Sequence, residues 1–489
     1  MTQTLVINPP FLEPHRPPIS CAIVAEVARL AGHNVTVLDV NIDLFQMVGH
    51  TKFLDLQTDY LFGDRLTSDD FLVNFIQQSL FKANVAGYDW ILISCFSDWE
   101  LETTKQIARY CREHSLAKIV VGGPGVQVEG RQMLTEGSVD YYVQGEGEIV
   151  LKELFAGNDT YAGINGRDPI QIDNVENLPL PNYDFFDFSK YDWLLDDPDV
   201  FIYGSRGCVR KCTFCDVASY WPKFRYRTGK SIADEMIMNY EKYGVKNFFF
   251  ADSLLNGNLK EFRYFLDRLS RFDDARKFHW GGYAIIRPRG QHPAELFDQM
   301  QAAGGKFLSV GVETGVDRIR LEMKKHFTNE DIDWHLEQSQ RVHIQNMFLM
   351  ITNWYSETLA EHHEYLKIFE RWQNYAVDGT IFGMAAAPTL TVLDNTPISR
   401  SQELIMPTEE FSSPAIKTMF WMNQKNPELT IPERYRRSLA VIEHAIKYNW
   451  NITNKQTKLN ELKSAIESYQ REYQVSTAES SSTNLLTKL

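Results

Sequence analysis

Short apolar runs alternate with amphipathic stretches along most of the chain. In the first part Leu5–Asn8, Val35–Val40, Trp90–Ser94, Lys118–Val121 and Tyr141–Val143 have the length and apolar pattern of strands. Ile19–Ala31, Glu100–His114 and Ile149–Phe155 have helical spacing between them, with a less regular stretch between residues 41 and 89. Glycines follow the strand ends at Gly122-Gly123-Pro124-Gly125 and Gly145-Glu146-Gly147. Strands alternating with helices predict a doubly wound parallel sheet, whose ligands sit beyond the carboxyl ends of the strands. Residues 156–198 are rich in Gly, Asn, Asp and Pro and read as a linker with an aromatic docking segment, LPLPNYDFFDF.

A second alternation follows, with strands expected at Val200–Gly204, Phe248–Ala251, His279–Ala284, Phe307–Val312, Met347–Ile351 and Gly379–Ala385. Amphipathic stretches such as Ser231–Tyr243, Leu259–Phe272 and Glu357–Trp372 separate them. Six such units predict a partial (β/α)6 barrel over residues 199–400, with functional residues at strand carboxyl ends. Residues 401–475 read as a helical region and 476–489 as a flexible tail. The fold class is thus α/β throughout, with a helical C-terminal region.

Composition narrows the function. At 489 residues with 44% hydrophobic and 23% charged positions, the chain is long enough for several packed cores. Its formal charge of −14 argues against a bulk electrostatic grip on nucleic acid. No apolar run approaches the ~18 residues that span a bilayer, so no membrane contact is expected. The six cysteines are unevenly placed: Cys208, Cys212 and Cys215 fall within eight residues, and Cys21, Cys95 and Cys111 are scattered. A lone thiol cluster points to metal ligation in a reducing compartment, hence the cytoplasm.

The spacing C-x3-C-x2-C in GSRGCVRKCTFCDV, just after an expected strand, suits three corners of a cubane iron–sulfur cluster with one iron left free for a ligand. Structural zinc normally takes four protein ligands, and the next histidine downstream is His279. The scattered cysteines read as small buried apolar residues. Trp221, Tyr220, Phe224 and Tyr226, with Arg225 and Arg227 among them, either line a pocket or pack between domains.

This motif resembles that of the radical S-adenosylmethionine (SAM) superfamily. The resemblance implies that Cys208, Cys212 and Cys215 ligate a 4Fe-4S cluster, that SAM chelates the open iron, and that Phe214 packs on its adenine. FFFADSLLNGN places Asp252, GGYAIIRPR places Arg287 and SVGVETG places Glu313 at strand ends where the family contacts SAM, although Asp252 and Glu313 also suit structural roles. LVINPPF, AGHNVTVLDV, VVGGPGVQ, DYYVQGEGE and LPLPNYD resemble the superfamily's cobalamin-binding branch, so residues 1–155 are expected to form a Rossmann-like cobalamin-binding domain. There, loops carrying Ser94, Ser97, Gly122, Gly123, Gly125, Gly145 and Gly147 would cradle the corrin. The D-x-H-x2-G ligand motif of some cobalamin domains is absent, Val209 stands where the branch has proline, and NWYSET replaces a G-x-P-G-E-T turn. The resemblance implies methylation of an unactivated carbon on a small-molecule or peptide substrate, with a reductant such as flavodoxin or ferredoxin. The alternatives are another radical outcome (cyclisation, oxidation or rearrangement) with a vestigial cobalamin domain, or a non-catalytic sensor.

Overall fold

The computed structural model describes residues 1–62, 71–127, 129–191, 197–274, 277–387, 389–407 and 417–452. The expected tail at 476–489, and the helical reading of 453–475, lie outside them.

The first sheet is fully parallel. It comprises β1 (Gln3–Asn8), β2 (Asn34–Asp39), β3 (Trp90–Ser94), β4 (Lys118–Gly122) and β5 (Tyr141–Val143) in the order β2-β1-β3-β4-β5. Leu5–Ile7, Ile91–Ile93 and Ile119–Val121 are buried because helices cover both faces, which is why these strands read as continuous apolar runs. Strand order reverses between β1 and β3, the switch point at which sheets of this kind carry a ligand crevice along their carboxyl edge. Residues 41–89, irregular by sequence, contain helices Val40–Phe62 and Phe71–Lys82. The first was illegible because Gly49, at φ 74°, interrupts it and breaks the apolar periodicity.

The second sheet contains β6 (Asp199–Ile202), β7 (Asn247–Phe250), β8 (His279–Ala284), β9 (Gly305–Glu313), β10 (Gln345–Ile351) and β11 (Ile381–Ala387), each parallel to its sequence neighbour. Among the described residues β6 and β11 do not pair, so the barrel stays open. β11 begins two residues later than expected because Gly379, at φ 84°, is still in the turn. The helices Asn329–Arg341 and Leu359–Arg371 begin in capping boxes, Thr328 with Asp331 and Thr358 with Glu361, which fix where each strand-to-helix loop ends. Among the described residues after 400, helix is not the only regular element. A two-residue antiparallel ladder, Leu404–Ile405 with Met422–Asn423, precedes the one long helix described there, Ile431–Lys447.

Residues 156–191 are packed against both sheets. Ile164, Ile172, Val175, Leu178, Tyr183 and Tyr191 are buried, and the Tyr183 hydroxyl donates to the Phe201 carbonyl at 2.6 Å. Charge joins the sheets as well. The buried Glu146 carboxylate, just after β5, accepts from Arg225 at 2.6 Å and pairs with Arg206 at 3.1 Å, while Arg206 also binds Glu148. Arg206 and Arg225 face each other in a short antiparallel ladder, Ser205–Arg206 with Arg225–Tyr226. That ladder is the base of the cysteine loop. No helix among the described residues is long and apolar enough to cross a membrane.

Candidate functional site

The loop between Arg206 and Arg225 carries all three clustered cysteines. Its base is held by the ladder and Glu146, and its tip by two backbone bonds: Thr213 N–H donates to the Met323 carbonyl, and Ile398 N–H donates to the Thr213 carbonyl. Cys212 is buried, and Cys208 and Cys215 are half-buried. Burial pushes all three thiols up, Cys215 to about 11, and Cys208 and Cys212 each add to the cost of ionising Cys215. Lys325 opposes this at Cys208 and Cys212, and the Arg210 N–H donates to the Cys208 sulfur at 3.3 Å.

Lys325 is the residue that sequence reasoning missed. Its ammonium is buried and lies 2.5 Å from Glu313 Oε1 and 5.5 Å from the centre of the Phe214 ring. Burial pulls the ammonium towards neutrality, but Glu313 and then Cys212 more than offset it, so its pKa is raised. Glu313 ends β9 at φ 67°, in a register shift that turns it out of the strand. A methyl group on Gly311 would overlap both the Glu313 carboxylate and the Lys325 ammonium, so this glycine is where the pair fits against the sheet. Phe214 also meets Trp354 edge-on, with ring centres 6.1 Å apart.

The other expected residues divide. Arg287 sits close enough to Cys208 for the two to feel one another's charge, and its Nη2 donates to the Asn256 and Gly257 carbonyls at 2.8 and 3.1 Å. Asp252 is turned to structural work: its buried carboxylate accepts from Gly204 N–H at 2.8 Å and from the Ser205 hydroxyl, joining the ends of β6 and β7. Burial pushes it up to about 7. Arg225 and Arg227 are likewise buried against Glu146 and Glu235. In NWYSET, Asn353 takes the glycine's role at φ 59°, and its Nδ2 donates to Arg434 O and Ser438 Oγ on the helix Ile431–Lys447. The departure from the family turn thus anchors that helix.

At the carboxyl edge of the first sheet, Ser94 bonds Ser20 at 2.9 Å. A side chain on Gly123 or Gly125 would collide with Cys95 and Ser97, and one on Gly145 with Ile170, so these three glycines let neighbouring loops close on one another. Gly122 and Gly147 have ordinary room beside them. The open surface of the crevice comes instead from the loop after β3, where Phe96 is 55% and Trp99 41% exposed. Below them the buried Glu100 accepts from the Phe96 and Ser97 N–H groups at 2.5 and 2.9 Å, which folds that loop back. Cys21, Cys95 and Cys111 are buried, and burial raises Cys21 well above its usual range and Cys111 to about 12, as for neutral packing thiols.

Glu100 gives a pH test of the loop. Desolvation lifts it from 4.5 to about 8 against the pull of the two N–H groups. The folded pKa lies above the unfolded one, so stability is full below pH 4.5 and falls as pH rises towards 8. Glu100→Gln removes the titration. Relative to wild type, the variant's urea-unfolding free energy should rise from pH 5 to pH 8 by up to about 4 kcal/mol. An equal difference at both pH values would refute a buried neutral carboxyl.

The donors fit the groups these sites imply. Three soft thiolates with a buried cation beside them suit an anionic iron–sulfur cluster. Among the described residues no three His, Cys, Asp or Glu side chains close tightly enough round one point for a single ion, whereas a cubane places each thiolate on a separate iron. The crevice at the first sheet offers a corrin ring two exposed aromatic faces beyond the strand ends.

Comparison with known proteins agrees. Residues 202–369 match the Radical SAM superfamily, and residues 69–155 match the B12 binding domain. The chain is 22% identical over 385 residues to cytidylyl-2-hydroxyethylphosphonate methyltransferase of Streptomyces wedmorensis, covering 68% of each chain. It is 30% identical over 149 residues to the anaerobic magnesium-protoporphyrin IX monomethyl ester cyclase of Synechocystis sp., covering 27% of this chain and 30% of the cyclase. Its fold is that of TsrM from Kitasatospora setae, solved with cobalamin and a 4Fe-4S cluster (TM-score 0.64, 15% identity, 95% of this chain and 100% of that one). It is also that of OxsB, solved with aqua-cobalamin and SAM (TM-score 0.66, 14% identity, 96% and 71%). Along the chain, a match to the B12 binding domain over residues 69–155 thus precedes a match to the Radical SAM superfamily over residues 202–369.

Proposed function

We propose that this protein is a cobalamin-dependent radical SAM enzyme that methylates an unactivated carbon, with a flavodoxin or ferredoxin as electron donor in the cytoplasm. When bound, the cluster supplies the electron that cleaves SAM reductively, and cobalamin supplies a methyl carrier. Cys208, Cys212 and Cys215 are the ligands. Phe214, between Lys325 and Trp354, offers a ring face to the adenine. Arg287 and the Glu313–Lys325 pair bring both charge signs to the amino and carboxylate groups of SAM. Phe96 and Trp99 offer the corrin its apolar contact, beside the Gly123, Gly125 and Gly145 turns.

The observation that carries this reading is the thiol loop fixed beside a buried Lys325–Glu313 pair at the barrel's strand ends. Anaerobically reconstituted protein given dithionite, SAM and hydroxocobalamin should release 5′-deoxyadenosine and S-adenosylhomocysteine, and should shift the cobalamin spectrum to a base-off form. 5′-Deoxyadenosine without S-adenosylhomocysteine would favour a non-methylating reaction. SAM binding without turnover under several reductants would leave a sensor.

A further inference from the structure

Strand alternation assigns the inner face of the open barrel. Val200, Ile202, Phe248, Phe250 and Trp280 are buried in the core beneath the helices, so the residues between them face inward. One inward row runs Phe201, Phe249, Gly281, Phe307 in register. Ring centres are 5.9 Å apart for Phe201 and Phe249, 5.7 Å for Phe249 and Phe307, and 6.5 Å for Phe307 and Phe382. A side chain on Gly281 would strike the Phe307 ring, so that glycine lets the aromatic row close. Arg16, from the loop after β1, lies 5.2 and 4.9 Å from the centres of Phe201 and Phe249 and is tied to Asp199 at 2.7 Å. Together they make an aromatic floor, plugged at the amino-terminal end of the strands.

Above the floor the wall recedes. The next row holds Tyr283, Ser309 and Met347, and the one after it Gly311, Leu349 and Ala385. Tyr283 is 41% exposed, Ala251 beside it is exposed, and Met347 and Leu349 are half-buried, so the space among them is open. Among the described strand residues no charged side chain faces inward between the floor and Glu313, and Glu313 is paired with Lys325. Glu13, near enough to bias Tyr283, is paired with Arg16. The top of this space is the cysteine loop.

We infer that this chamber takes an uncharged, apolar fragment, an aromatic ring or a branched alkyl group, as the reacting end of the substrate. The hydroxyls of Tyr283 and Ser309 hold one polar atom of that fragment. Charged parts of the substrate stay outside, since nothing on these rows would repay a buried charge its lost hydration. That the fragment reacts rests on the proposed function; that it binds does not.

The full-length reconstituted protein is titrated with neutral N-phenyl-1-naphthylamine and with anionic 1-naphthoate. The neutral probe should bind with enhanced, blue-shifted fluorescence, and the anion at least about tenfold more weakly. Ala251→Trp, which fills the chamber, should weaken the neutral probe about tenfold or more. Tyr283→Ser, which trims a ring that is already exposed, should weaken it roughly threefold or more and tests the site if the first variant fails to fold. Tyr264→Ala, on the outer helix Leu259–Ser270, should change nothing. Equal affinity for both probes, or a neutral probe indifferent to the folded chamber variants, overturns the inference. Iron content and 5′-deoxyadenosine formation are read on the same samples. Probe binding with normal specificity but no SAM cleavage sinks the enzymatic reading and keeps the chamber; cleavage without the binding pattern does the reverse.

Discussion

Cys212→Ala protein, reconstituted anaerobically with iron and sulfide, retains little of the about four irons per chain that wild type holds, and its SAM cleavage falls to background. The loop does not depend on the sulfur for its shape. The Cys212 carbonyl still accepts from Cys215 N–H, Thr213 still bonds Met323, and Arg206, Arg225 and Glu146 still close the base. What is lost is one of three soft donors in a set with no fourth thiol on the loop. Cys111→Ala is the matched control. That thiol is buried in the helix Leu101–His114 with its pKa pushed up to about 12, so its removal should cost only packing and leave the iron in place. Wild-type iron content in Cys212→Ala, or iron loss in Cys111→Ala, would move the cluster to other ligands.

These two cysteines show how far the sequence could be read. Cys208, Cys212 and Cys215 lie on one loop, so their spacing alone points to a shared metal site. The strands were legible for a similar reason: burial on both faces writes apolar runs into β1, β3 and β4 whatever they pack against. Lys325 carries no such local mark. It reaches the thiols only because the loop after the helix Asp317–Glu322 folds back over Gly311, and that glycine looks like any other strand glycine until the pair is seen on it. Gly123, Gly125 and Gly145 show the same limit from the other side, since a glycine that admits a ligand and one that admits a neighbouring loop are identical in one dimension. Asp252 was placed correctly at its strand end, but which side of the sheet it would serve depended on Ser205 and Gly204, nearly fifty residues earlier. Local chemistry was readable, and long-range pairing was not.

Lys325→Met tests that long-range pairing. The side chain keeps its length and loses its charge, leaving the Glu313 carboxylate buried without its ammonium partner 2.5 Å away. Breaking one side of such a pair costs about 3–5 kcal/mol, so the variant should unfold at markedly lower urea. The cluster's reduction should also become harder. An ammonium beside the thiolates favours the added electron, and its removal drives the midpoint potential negative, by about 59 mV for each tenfold change in the one-electron equilibrium. A purely structural lysine would move the urea midpoint and leave the potential alone. Adding Glu313→Gln separates the two roles. The double variant again has no unpaired buried charge, so most of the stability should return, and the potential should recover towards wild type because the local net charge is zero in both. Phe214 supplies the third reading, since its ring loses the cation 5.5 Å from its centre and SAM affinity should fall in single and double variants alike. An unchanged potential in Lys325→Met, measured by redox titration with electron paramagnetic resonance, would reduce Lys325 to a packing partner of Glu313.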